Sequence, residues 1–163
     1  MYYAGLNKCD LANGPGFRVS LFVSGCRNRC EGCFQPETWS FTHGKEFTRE
    51  TLLELMEMLD KDSIEGLSIL GGDPFEPENR DCVFDICEQV RKFRPDRDIW
   101  VWTGYNFEDL KELPVMRYID VLVDGRFEKD KKDLRLKWRG SSNQRVIDVA
   151  ESLKSSEVVL LDA

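Results

Sequence analysis

The chain has 163 residues, 41% of them hydrophobic and 33% charged, and 23 Lys and Arg face 30 Asp and Glu for a net charge of −7. That is the length of one domain, here 1–163, with the balance of a globular protein, and it lacks the basic footprint of a general nucleic-acid binder, so no direct nucleic-acid partner is expected. No apolar run approaches the ~18 residues that span a bilayer, and Asn7, Lys8, Cys9 and Asp10 interrupt any signal-peptide core. The expectation is a cytoplasmic chain with no membrane partner, in which six cysteines are thiols or metal ligands rather than disulfides.

In chain order, Asn13-Gly14-Pro15-Gly16 reads as a tight turn before a first strand, Arg18–Ser24. Thr48–Lys61 is an amphipathic helix with Thr48 as its N-cap, although Thr51 rather than Glu stands three residues on. A second strand, Gly66–Leu70, runs into Gly71-Gly72-Asp73-Pro74 and a helix over Pro77–Phe93. A third, Asp98–Trp102, ends in Thr103-Gly104-Tyr105, with Asn106 capping a helix over Phe107–Leu113. A fourth, Ile119–Asp124, ends at Gly125, and Glu157–Asp162 is a weaker candidate. These runs are β-branched or aromatic and nearly continuously apolar, as strands covered on both faces are. Their alternation with helices implies a parallel α/β sheet. Four or five such units fall short of a closed eight-stranded barrel, which takes roughly 200 residues or more. A partial, open (β/α) barrel with a mainly parallel sheet is therefore expected.

Cys26, Cys30 and Cys33 form C-x3-C-x2-C directly after the first strand. Three thiolates this close in sequence can converge on one metal centre, and the end of a parallel strand is where α/β folds place chemistry. Three ligands suit a 4Fe–4S cluster with one iron left for an exogenous ligand. A structural zinc site would need a fourth ligand, for which Cys9 and His43 are the candidates, and this alternative stays open. Cys82 and Cys87 read as small buried hydrophobes. His43, the only histidine, stands in Thr42-His43-Gly44, which reads as a surface turn.

Paired glycines at 71 and 72 let backbone approach a ligand without a Cβ in the way. An ordinary strand–helix turn would also account for them. Asp73 is placed to act by hydrogen bonding. Four successive strands each end in Gly or Cys, which suggests a ligand lying across one rim of the sheet. Arg126–Arg145 holds eight basic and three acidic residues in an otherwise acidic chain. It is either a solvated loop or a patch that grips an anionic ligand or acidic partner.

Gly14-x-Gly16-x-Arg18-x3-Phe22-x2-Gly25-Cys26-x3-Cys30-x2-Cys33, followed by GGD at 71–73, resembles the signature of the glycyl-radical-enzyme activases of the radical S-adenosylmethionine (SAM) superfamily. NGPG (13–16), TW (38–39), GGDP (71–74), DIWVWTGY (98–105), VDGRFE (123–128) and RGSSNQR (139–145) narrow the likeness to the activating proteins of anaerobic (class III) ribonucleoside-triphosphate reductases. It covers about residues 1–147 and leaves the tail from 148 unassigned. The residue before the third cysteine, often aromatic in the wider superfamily, is Gly32 here, with Phe34 just after Cys33. Asp73 stands where that superfamily often has Glu.

The resemblance implies a radical SAM barrel in which Cys26, Cys30 and Cys33 hold one 4Fe–4S cluster. SAM would be received by Gly71, Gly72 and Asp73 on its methionine side, and by Gly32, Cys33 and Phe34 on its adenine side. Reductive cleavage to methionine and a 5′-deoxyadenosyl radical would then place a radical on a glycine of the reductase. Reduced flavodoxin or a similar protein is the implied electron donor. The alternatives are an activase of another glycyl-radical enzyme, such as a formate-lyase type, and a non-catalytic zinc-binding module.

Overall fold

The apolar runs meet at the centre of one sheet. The computed structural model describes residues 1–161. Its strands are β1 (Tyr2–Asp10), β2 (Arg18–Val23), β3 (Lys45–Glu46), β4 (Gly66–Gly71), β5 (Asp98–Trp102), β6 (Val121–Asp124) and β7 (Arg145–Asp148). They lie side by side in the order β3-β1-β2-β4-β5-β6-β7. The four central strands, β2, β4, β5 and β6, run parallel, with Arg18 opposite Gly66 and Gly66 opposite Asp98. Antiparallel β1 and β3 extend one side and antiparallel β7 the other. The result is an open, mixed sheet with a parallel core, flanked by helices α1 (Arg49–Leu59), α2 (Pro77–Phe93), α3 (Phe107–Leu110) and α4 (Val149–Ser155). Among the described residues no helix is long and apolar enough to cross a membrane.

Period-two alternation sorts the parallel strands' side chains onto two faces. Val19, Leu21, Leu67, Ile69, Val101 and Leu122 pack with Leu55 and Leu59 of α1 and Val83, Ile86 and Val90 of α2 in the main core. Right-handed crossovers between adjacent parallel strands put their helices on that one face. The opposite face is polar where β2 and β4 lie. Arg18, 0% exposed, donates to Ser68 Oγ at 2.7 Å, to Pro15 O at 3.1 Å and to Asp98 Oδ1 at 2.5 Å. Ser20 donates to Asp10, which also receives Asn13 Nδ2. Toward β5 and β6 the same face turns apolar, where Trp100, Val121 and Val123 gather with Trp102 and Trp138.

All four strands expected in the parallel core are present, with ends within two residues of the sequence reading. Helix α2 has the expected bounds, and Thr48 does cap α1: Thr51 N donates to Thr48 Oγ1 while Thr48 N donates to Thr51 Oγ1, so a Thr replaces the usual Glu in a reciprocal box. Three expectations are corrected. The Phe107–Leu113 helix stops at Leu110, because Pro114 opens a separate 3-10 turn over Pro114–Tyr118. Asn106 makes no side-chain cap; Phe107 N donates instead to Asp124 Oδ2 at 2.8 Å. Glu157–Asp162 is no strand within the described residues, which exclude Asp162. It runs beside β7 through one bridge, Ile147 to Leu160, and bonds from Asp148 N to Val159 O and Leu161 N to Val146 O. The unassigned tail otherwise forms α4, where Asp148 accepts from Glu151 N.

Candidate active site

The C-terminal ends of the parallel strands converge on one cavity of about 500 Å³, within the ~300–1,000 Å³ of small-molecule sites. Cys26, Cys30 and Cys33 line it, together with Phe34, Gly71, Gly72 and Asp73, so seven of the eight residues expected at the site meet there. Gly32 is the exception. It sits at an exposed turn with φ +78° and does not line the cavity.

The cysteine loop leaves β2 through Gly25, at φ +104°. Gly25 N donates to Thr38 O at 2.7 Å and Cys26 N to Trp39 O at 3.2 Å, so the Thr38-Trp39 pair closes the loop on its own start. Buried Glu76 accepts from Arg27 N at 2.9 Å and from Tyr105 Oη at 2.7 Å. Arg29, at φ +48°, lies over the Trp39 ring.

Asp73 is 1% exposed and its four acceptor positions are filled from within the chain. Oδ1 accepts from Thr103 Oγ1 at 2.7 Å and Phe75 N at 3.0 Å; Oδ2 accepts from Gly104 N at 2.9 Å and Asn28 Nδ2 at 3.3 Å. Burial pushes this carboxyl up, against the pull of those donors. Asp73 therefore brackets the ends of β4 and β5 and holds the cysteine loop through Asn28. The glycines before it line the cavity, but what their missing Cβ admits is chain. At Gly71, φ +111°, a Cβ would stand 2.6 Å from Val23 O; at Gly72 it would stand 2.7 Å from Gly25 O and 2.9 Å from Thr38 O. The missing Cβ at each thus allows close backbone packing between the β4 turn, the end of β2 and the cysteine loop, while both glycines line the cavity.

All six cysteines are free. Burial pushes the Cys26 thiol up to about 11, helped by the nearby Asp73 and Glu76 carboxylates, and burial raises Cys30 against a backbone N–H from Phe127. Among the described residues no three His, Cys, Asp or Glu side chains stand close enough to grip a metal as they are. Donor chemistry is what fits an iron–sulfur cluster: three free thiols on one loop lining one cavity. Exposed Cys9 on β1 and His43, the candidate fourth ligands of a zinc site, do not line that cavity.

The basic strip proves to be a strap over the cavity. Phe127, Leu134, Leu136, Trp138 and Arg139 line it from that side. Trp138 edges onto Trp100 at 5.8 Å, and its carbonyl accepts from Trp102 Nε1 at 2.6 Å. Gln144 anchors the strap's base, accepting from Gly140 N and Ser141 N and donating to Gly125 O at 3.0 Å. Arg145 donates to Asp124 Oδ2 and Glu108 Oε1, each at 2.6 Å. Sequence alone singles out none of Asn28, Trp102, Trp138 and Gln144; the TGY, VDGRFE and RGSSNQR stretches mark their neighbourhoods, but the bonds from Asn28 to Asp73, Trp102 to Trp138 and Gln144 to Gly125 are all long-range.

A family model described as a 4Fe-4S single cluster domain matches residues 12–147. The chain is 47% identical over 146 residues to an anaerobic ribonucleoside-triphosphate reductase-activating protein of Enterobacteria phage T4, covering 90% of this chain and 93% of that one. Proteins of the same name from Vibrio cholerae and Escherichia coli K12 are 43% and 42% identical, covering 88% and 90% of this chain and 96% and 97% of theirs. With the thiols, the glycine turn and the strap meeting at one cavity, and with likeness running nearly end to end, the chain belongs to the family of anaerobic ribonucleoside-triphosphate reductase-activating proteins.

Proposed function

We propose that this protein is a radical SAM oxidoreductase that activates an anaerobic ribonucleoside-triphosphate reductase by generating a glycyl radical on it. The observation that carries the reading is the meeting of Cys26, Cys30 and Cys33 with the Gly71–Asp73 turn in one cavity at the ends of parallel strands. The three thiols would hold one 4Fe–4S cluster, leaving one iron for SAM. The methionine end would lie along the backbone of Gly71 and Gly72, with Asp73 fixing that backbone. Phe34 and Cys33 would border the adenine, and Gly32 would shape the turn that presents them. When bound, the cluster and SAM would together supply the reductive radical chemistry that removes a hydrogen atom from a glycine Cα of the reductase.

The chain's own part is positional. Asp73 and Asn28 hold the cysteine loop against the β4 turn, and Trp102, Trp138 and Phe127 give the cavity an aromatic lining. An incomplete barrel leaves a mouth for a protein substrate. Six free thiols suit the reducing cytoplasm, where reduced flavodoxin or a similar protein would donate the electron.

The test is anaerobic reconstitution followed by mixing with SAM, a reductant and the cognate reductase. A glycyl EPR doublet should appear on the reductase and collapse when its glycine is α-deuterated, with deuterium moving into 5′-deoxyadenosine. A radical formed on a formate-lyase-type enzyme and none on the reductase would overturn the assignment, as would a colourless protein that takes up one zinc and no iron.

A further inference from the structure

The strap's charge is larger than its own ion pairs cancel. Lys129 pairs with Glu31, Lys131 with Glu128, Arg135 with Asp133, and Arg145 with Asp124 and Glu108. Among the described residues, Arg126, Lys132, Lys137 and Arg139 have no carboxylate within 4 Å, against one unpaired strap carboxylate, Asp130. Arg139 gives its hydrogen bonds to the carbonyls of Ser142 and Gln144, which leaves its charge in place. Among these cations Leu134 is 84% exposed while also lining the cavity, and Phe34, 62% exposed, lines it as well. A single exposed leucine is ordinary. An exposed leucine and phenylalanine at one cavity, amid uncancelled positive charge on a chain of net −7, form a surface with a definite complement.

We propose that the strap, through exposed Leu134 and Lys137, grips an extended acidic segment of the reductase, seating an apolar side chain on Leu134 and Phe34 while carboxylates meet Lys137 and Arg126. This rests on the function proposed above and names the chemistry of the segment that enters the site. An anionic membrane would also meet cations and a leucine, but the remaining surface is acidic and would be repelled by it. A partner that touches the strap and little else avoids that repulsion.

The test measures activation rate against reductase concentration with the cluster-loaded enzyme. Lys137→Glu, at a residue that does not line the cavity, should raise KM for the reductase about threefold to tenfold at low ionic strength and by less at 0.5 M salt. Its reductase-independent SAM cleavage should stay at the wild-type rate. Leu134→Ser should raise KM at both ionic strengths, and Lys8→Glu, an equal charge change on β1, should leave KM alone. Unchanged KM in both strap variants, with a wild type that activates normally, would overturn the docking surface and leave the function standing. Cosedimentation of the wild type with phosphatidylserine vesicles, abolished by Lys137→Glu, would overturn it in favour of a membrane. Failure of the wild type to activate any such reductase would overturn the function first.

Discussion

Thr103 Oγ1 donates to Asp73 Oδ1 at 2.7 Å, tying the end of β5 to the turn after β4. The acceptor is 1% exposed, and the same hydroxyl accepts from Tyr105 N at 3.1 Å. Thr103→Val keeps the shape and removes both bonds. It should cost about 1–3 kcal/mol in urea unfolding, because a buried acceptor and a donor lose their partner. Asp73→Ala, which strands four donors, should cost more.

Gly72→Ala is expected to act through the fold. Its Cβ would meet the Gly25 and Thr38 backbones, which cannot swing aside as a side-chain tip would. A loss of about 1–3 kcal/mol in stability, with reduced iron uptake on reconstitution, is the expected result. Full stability and iron content with SAM affinity alone reduced would instead mean that the space belongs to the ligand.

Cys26→Ser, Cys30→Ser and Cys33→Ser should each lose the iron chromophore and SAM cleavage, while Cys9→Ser and Cys82→Ala keep both. Thiol labelling separates the others: exposed Cys9 should react with an alkylating reagent in the native protein. Cys87, fully buried and pushed up to about 12 by that burial, should label only on unfolding. Intact-mass spectrometry over time reads both.

Burial and the hydrogen bond to Glu76 push the Tyr105 hydroxyl up to about 12 from an ordinary 10. The folded state thus holds this proton more tightly than the unfolded chain does. The contribution is complete below pH 10 and is lost as pH rises from 10 toward 12. Denaturation midpoints should fall over that interval, and Tyr105→Phe should flatten the fall.

The parallel core was legible because its strands are buried on both faces and so read as largely apolar runs; Val19, Leu67, Ile99 and Leu122 pack in the helix-covered core, while Ser20 and Ser68 on the other face are fully buried as well. β1 was not, because Asn7, Lys8 and Cys9 lie on a strand whose register slips between Asn7 and Asp10, which breaks alternation. β7 is only four residues, and α4 was marked only by Asp148 and Glu151, the cap and the residue three beyond it. EVVLLD misled because β-propensity says that a segment suits a pleated surface, without saying that an edge awaits it. At the site, local spacing revealed the thiols and the glycine turn. Asn28 with Asp73, and Trp102 with Trp138, lie too far apart in sequence for spacing to pair them.

Phe127 touches both halves of the site's entrance. Its ring lies 5.3 Å from that of Phe34, its edge would stand 3.3 Å from a Cβ at Gly32, and its backbone N–H reaches Cys30. The strap proposed to face an incoming polypeptide is therefore in direct contact with the segment that carries the thiols. Binding events on two segments in such contact can be thermodynamically linked: any preference of the filled cysteine loop for one strap position returns as an equal preference of the gripped strap for a filled loop. If the strap docks the reductase, any effect of cluster loading on that docking must be matched by an equal effect of docking on cluster retention, so metal-free and metal-loaded protein compared for reductase affinity would read the coupling directly.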